Sequence, residues 1–167
     1  LINLFIFIVL SVLLFFFIYI FYFFKLKEFE ISGKEINIIK GSGLKDVSFL
    51  ILENKTNLEK EIYYNYLRLW NNFYKKINYG EFQFNEPLNL IEITKIISKT
   101  SNVYYKFTII DGWQEFQFNK YSKEIFDETI KLDYHEILAD TYNYISTDSL
   151  KKIIKFIIIN KKKFFSN

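Results

Sequence analysis

The apolar and polar positions fall into two regimes. Leu1 to Phe24 forms one unbroken apolar block with no charged residue, its polar atoms confined to Asn3, Ser11, Tyr19 and Tyr22. At about 1.5 Å of rise per residue such a helix reaches roughly 36 Å, enough to cross a hydrocarbon core of about 30 Å. A secretion signal has a shorter apolar core and a small-residue cleavage site, and "FYFFKLKEFE" offers none. The pattern therefore predicts a retained transmembrane helix over residues 1–24. Lys25 and Lys27 follow it, a charge cue that taken alone holds that end in the cytoplasm.

Beyond the block, short periodic segments alternate. "EINIIKGSG" (Glu35 to Gly43) is an alternating strand running into a glycine turn. "LKDVSFLILENK" places Leu44, Val47, Leu50 and Ile51 at helical spacing. "TNLEKEIYYNYLRLWNNFYKK" opens with Thr56 as N-cap and Glu59 three residues on, a capping box, and lines one face with Leu58, Ile62, Tyr66 and Leu69. A strand from Glu81 to Phe84 is stopped by Pro87, and "NLIEITKIISKT" repeats the capping pattern with Asn89 and Glu92 while directing Ile93, Ile96 and Ile97 inward. A strand over Val103 to Ile110, a helix beginning near Trp113, the segment "HEILADTYNYIS" and a helix over Asp148 to Lys161 complete the chain. The last helix presents Leu150, Ile153, Ile154, Ile157 and Ile158 on one face. The fold class this predicts is α+β, with no internal repeat and no long linker.

Composition narrows the chemistry. Ile, Lys, Phe, Asn and Tyr account for 96 of the 167 residues, beside one Arg (Arg68), one Ala (Ala139) and one Pro (Pro87). Such bias is that of an AT-rich coding sequence, so an isolated Lys or Phe carries little meaning. A net charge of +3 spread along the chain lacks the clustered basic face that nucleic acid requires. With no cysteine there is neither a disulfide framework nor a thiolate metal site, and no three ligands stand at metal spacing. No cofactor is implied.

The segment "VYYKFTIIDGWQEF" stands apart, because it sets one of five glycines beside one of two tryptophans. Gly112 allows a sharp turn from strand to helix, and Asp111 sets a carboxylate beside the first amides of the helix that follows. Trp113 reads equally well as a plug for the core.

Four segments in order resemble the YceG-like endolytic murein transglycosylases of bacteria. They are the apolar N-terminal block, "INIIKGSGLKDVSFLI" with Gly80-Glu81-Phe82 and "LIEITKII", "FTIIDGW", and "LADTYNYISTDSLKKII". The third matches a T-I-P-E-G-W signature through Thr108, Ile109, Gly112 and Trp113, with Ile110 in place of the proline and Asp111 of the longer acid. The fourth matches a P-D-T-Y turn through Asp140, Thr141 and Tyr142, Ala139 replacing the proline. The resemblance implies a membrane anchor over 1–24, a LysM-like region over 31–102, and the start of a truncated catalytic region over 103–167. It also implies a single-pass protein of the bacterial cytoplasmic (inner) membrane, with its C-terminal domain on the outer, periplasmic face. Its partners there are peptidoglycan glycan strands and the peptidoglycan synthases that make them. The implied family reaction cleaves glycan strands to 1,6-anhydroMurNAc ends.

That reaction needs a carboxyl of raised pKa to protonate the leaving oxygen and then to act as base. In the family this glutamate lies in a helix past the D-T-Y turn, and here the only acid after Tyr142 is Asp148. The catalytic residue is thus expected beyond Asn167, and this chain alone is expected to lack activity. Glu59 and Glu92 read as caps, Glu115 as a solvated helix residue, and the His135–Glu136 pair as a turn. "KKKFFSN" reads as a frayed helix end. The candidate substrate-binding residues are Asp111, Trp113, Asp140 and Tyr142. The competing reading is a non-enzymatic, membrane-tethered module that holds glycan or a partner, with Tyr79, Trp113 and Tyr142 stacking on sugar rings. A general single-pass scaffold is a third.

Overall fold

A computed structural model describes residues 2–31, 33–131 and 137–166 of the chain. It is a mixed α+β molecule that divides into two compact units, Leu1–Ser101 and Asn102–Asn167.

The first unit begins with helix α1 (Ile2–Phe21), none of whose side chains is buried. Its length and composition suit single-pass anchoring in a membrane, properties that secretion signals share. The helix does not end where its apolar run ends. A π-helical turn over Tyr22–Leu26 carries Phe23 and Phe24 into the core of the unit, so the last residues assigned by sequence to the span are packing residues instead. The reason is aromatic: Phe23 meets Phe24 and Phe29 edge-on at 5.2 and 6.1 Å between ring centroids, and Phe24 lies 4.6 Å from Tyr66. Strand β1 (Glu28–Phe29) follows at once and pairs antiparallel with β4 (Leu88–Asn89).

Between these strands the chain runs β2 (Glu35–Ile38), α2 (Leu44–Ile51), α3 (Asn57–Phe73) and β3 (Gly80–Gln83), with β2 and β3 antiparallel and Ile36 opposite Phe82. Helix α4 (Leu90–Ile97) closes the unit. Both capping boxes form: Glu59 N–H donates to Thr56 Oγ1 while Thr56 N–H donates back to Glu59 Oε2, and Asn89 and Glu92 exchange the same pair of bonds. The faces of two helices differ from expectation. In α3 the fully buried positions are Tyr63 and Leu67; of the expected stripe Ile62 and Tyr66 pack half-buried against the core, whereas Leu58 and Leu69 lie exposed. In α2 Val47, Ser48 and Ile51 are buried and Leu50 is exposed. A helix with apolar side chains on both faces is oriented by whichever face fits the aromatic core, not by the longest stripe.

A polar thread runs through this core. The Tyr63 hydroxyl lies 2.9 Å from Thr94 Oγ1, and Thr94 Oγ1–H donates to the Leu90 carbonyl at 2.6 Å. A threonine hydroxyl has one proton to give, so the phenol donates to Thr94. Trp70 Nε1–H donates to Ser98 Oγ at 2.9 Å, which joins α3 to α4 a second time.

The second unit is β5 (Tyr105–Thr108), α5 (Glu115–Phe126), β6 (Thr141–Tyr144) and α6 (Leu150–Phe165), with β5 and β6 antiparallel. Phe107, Ile109, Phe118, Tyr142, Leu150, Ile153, Ile154 and Ile157 form its core, and Ile158 of the expected α6 stripe packs against it. Strand β5 is shorter at both ends than the sequence predicts, because only Tyr105 to Thr108 find partners on β6. Helix α6 starts after Ser149, whose hydroxyl accepts from Lys152 N–H, and continues through Lys161–Lys163 to Phe165 where fraying is expected.

Candidate functional site

The two most specific sequence motifs meet at one end of the β5–β6 ribbon. Thr108 stands opposite Thr141 in the register, their hydroxyls 3.0 Å apart, and Ile109 N–H donates to the Asp140 carbonyl at 2.9 Å. "FTIIDGW" and "ADTY" are thus neighbours in space although separated by about thirty residues of chain. The segment containing Asp140, Thr141 and Tyr142 opens a strand where the sequence predicts a turn before a helix. The physical cause lies in Thr141–Tyr144: alternating polar and aromatic residues suit a half-buried strand. That alternation was the signal available in the sequence. The solvent side of the ribbon carries Lys106, Thr108 and Ile110 from β5 and its extension, and Thr141 and Asn143 from β6. Lys106 and Asn143 were not singled out from sequence; Thr108, Ile110 and Thr141 were named there as motif positions and not as candidate binding residues.

Each expected site residue has a definite place. Asp111 is exposed, and its Oδ1 accepts from the Gly112 N–H at 3.1 Å. The helix that follows begins at Glu115, not at Trp113, and its Gln114 N–H is capped by Gln117 Oε1 at 2.8 Å, so Asp111 does not serve the helix amides as expected. Gly112 has φ +81°, which explains the glycine at this turn. Trp113 is half-buried, its ring edge-on to Tyr121 at 5.3 Å and packed on the second core. Its role as a plug is therefore present. Asp140 is exposed, with Oδ1 accepting from Thr141 N–H at 2.7 Å.

Tyr142 corrects an expectation. Its side chain is 2% exposed, edge-on to Phe156 at 6.3 Å, and its hydroxyl donates to the Leu138 carbonyl at 2.8 Å. Burial, aided by the Asp140 charge, pushes its pKa up to about 12. It is a core phenol with no face left for a sugar. Of the three aromatics considered as stacking platforms, Tyr79 is the one that stays exposed, at 45%, with Lys40 Nζ 5.8 Å over its ring.

The acids have structural duties. Glu59 accepts from Lys27 Nζ at 2.6 Å while it caps α3, and these bonds hold its carboxyl at about 2, far below the usual range and opposite to the direction an acid catalyst needs. Asp148 accepts from Ile145 N–H at 3.2 Å and pairs with Lys152. Glu115 lies in the exposed first turn of α5. His135 and Glu136 fall outside the described residues. Among the described residues no group of three His, Asp or Glu side chains gathers as a metal site.

No protein-family model, no curated protein and no solved structure matches this chain.

Proposed function

We propose that the chain is a membrane-anchored, glycan-strand-binding module of the kind that stands at the front of YceG-like endolytic transglycosylases. The observation that carries the proposal is the β5–β6 register, which joins the two family-like motifs into one polar ribbon end bearing Thr108, Asp111, Asp140 and Thr141. Hydroxyl and carboxylate groups in that arrangement suit the hydroxyl-rich edge of a sugar chain. The β2–α2–α3–β3 order with its antiparallel strand pair supports the LysM-like reading of the first unit. There Tyr79 supplies the exposed ring for stacking, in place of Tyr142.

Binding is favoured over cleavage because the acids of the motifs and caps are engaged in turns, caps and an ion pair. The module acts at the outer face of the cytoplasmic membrane, beside the synthases whose nascent strands it holds.

The test is retention of the detergent-solubilised full chain on insoluble peptidoglycan, with the released sugars assayed for 1,6-anhydro ends. Retention without anhydro product is the expected result. Tyr79→Ala should weaken retention by about 3- to 10-fold, the loss of one stacking contact. Failure of the intact chain to sediment with peptidoglycan overturns the proposal, and anhydro ends would restore the enzyme reading.

A further inference from the structure

Helix α3 leads back toward the apolar helix it follows. At its N-terminal end Glu59 holds Lys27, about two turns further on Tyr66 touches Phe24, and beyond that Leu69 shares a groove with Ile20 and Phe21 of α1. This groove, of about 560 Å³, is lined mainly by apolar side chains, with Lys25 and Asn65 as its polar members, and is open to the outside. The next turns of α3 carry a row of large side chains with no cover: Leu69 is 58% exposed, Phe73 76% and Tyr74 78%. Trp70 stands among them, stacked on Tyr74 at 5.0 Å. A water-facing helix end would not hold so much apolar surface.

The chemistry around the row is that of a bilayer interface. Trp and Tyr concentrate at the level of the headgroups, where one end of the ring is dry and the other wet. Lys25 stands exposed at the end of the span, and Lys75 and Lys76 follow Tyr74, all on the first unit. Such cations attract anionic headgroups, at about 1 kcal/mol each near the surface. The groove is also continuous with α1, since Ile20 and Phe21 belong to the apolar helix itself.

From this we infer that the C-terminal end of α3 lies in the headgroup–acyl boundary of the bilayer that α1 crosses, and that a phospholipid acyl chain fills the groove. Tyr74, Lys75 and Lys76 then meet the headgroups while Leu69 and Phe73 enter the acyl region. The inference rests on α1 being a span and is independent of any glycan.

The absence of cysteine from the chain makes the test direct. Full-length protein with a single Leu14→Cys, Leu58→Cys or Leu69→Cys substitution is nitroxide-labelled and reconstituted in phosphatidylcholine–phosphatidylglycerol vesicles. Collision rates with oxygen and with a neutral nickel chelate are then measured. All three side chains are exposed on the protein itself, so none of the labels disturbs a core. Leu14 reports the span and should favour oxygen several-fold. Leu58, on the same helix as Leu69 but outside the groove, should favour the nickel chelate. Leu69 should resemble Leu14. If Leu69 behaves as Leu58 while Leu14 stays in lipid, the interfacial placement is wrong and the anchor stands. If Leu14 also favours nickel, the anchor fails and the inference with it. Exclusion of both reagents from Leu69, with spin–spin broadening that grows with protein-to-lipid ratio, would mean a second copy covers the groove and would overturn the lipid assignment.

Discussion

Replacing Thr94 by valine tests the direction of a single buried hydrogen bond. Tyr63 and Thr94 are both fully buried, and the threonine proton is committed to the Leu90 carbonyl, so the phenol is the donor to Thr94 Oγ1. Burial also raises the phenol pKa, which keeps that proton in place. Valine has the shape of threonine and no acceptor. In Thr94→Val the phenol O–H is left in a dry core with no partner, at a cost of about 2 kcal/mol. Tyr63→Phe removes the donor instead and leaves the threonine with its bond to Leu90, at about 1 kcal/mol. Removing both groups together leaves no orphan, so the double variant should lose only about 1 kcal/mol, giving a coupling of about 2 kcal/mol.

The assay is urea unfolding of the detergent-solubilised chain in a Trp113→Phe background. Trp70, tied to Ser98 in the same unit, then reports the first unit alone. With an m-value of about 1.5 kcal/mol/M, Thr94→Val should lower the midpoint by about 1.3 M and Tyr63→Phe by about 0.7 M. Equal effects of the two single variants, or a double variant equal to their sum, would refute the donor assignment.

Three further outcomes follow from the geometry. Glu59 titrates at about 2 when folded against an ordinary value near 4.5, so its stabilisation is complete above about pH 4.5 and is lost as the pH falls toward 2. Glu59→Gln keeps an oxygen for the Thr56 cap but loses the Lys27 charge; it should cost about 1 kcal/mol at neutral pH and flatten the acid limb of a Trp70-monitored pH titration. Gly112→Ala meets no atom at its Cβ, so its cost is the positive φ alone, about 1 kcal/mol, and Gly112→Asn should recover much of it; thermal melts read by Trp113 fluorescence decide this. Tyr142→Phe should lower the stability of the second unit by about 1 kcal/mol, through the lost bond to Leu138, yet leave retention on peptidoglycan unchanged; weakened retention would return Tyr142 to the binding site.

Local rules were legible in the sequence wherever they involve near neighbours. Thr56 with Glu59, and Asn89 with Glu92, identify helix starts because the bonds they form span three residues. The apolar stripe of α6 was legible because lysines occupy much of its other side. Helix α3 was not, since Leu58 and Leu69 compete with Tyr63 and Leu67, and only tertiary packing, with Thr94 bonded to Tyr63, chooses between them. The candidate site shows the same division. Asp111, Gly112 and Asp140 were visible as turn chemistry, whereas the pairing that joins them is a long-range register set by β6. Tyr142 was misjudged for a related reason: in a chain with 13 tyrosines, residue type alone does not say which rings the core takes.

The junction between α1 and the first unit has a mechanical consequence. Phe23 and Phe24 are core residues, and β1 is already paired by Glu28, so no slack chain separates the apolar helix from the fold. A flexible leash of twenty residues would let a domain wander about 25 Å from its mooring. With α1 spanning a membrane as proposed above, the helix and the first unit would turn as one body, and the first unit could not search the space above the bilayer. Whatever it meets must arrive within the thickness of the unit itself. Its encounter rates should therefore scale with the number of partners per area of membrane, and lengthening this junction by a flexible insert should convert a planar search into a volumetric one.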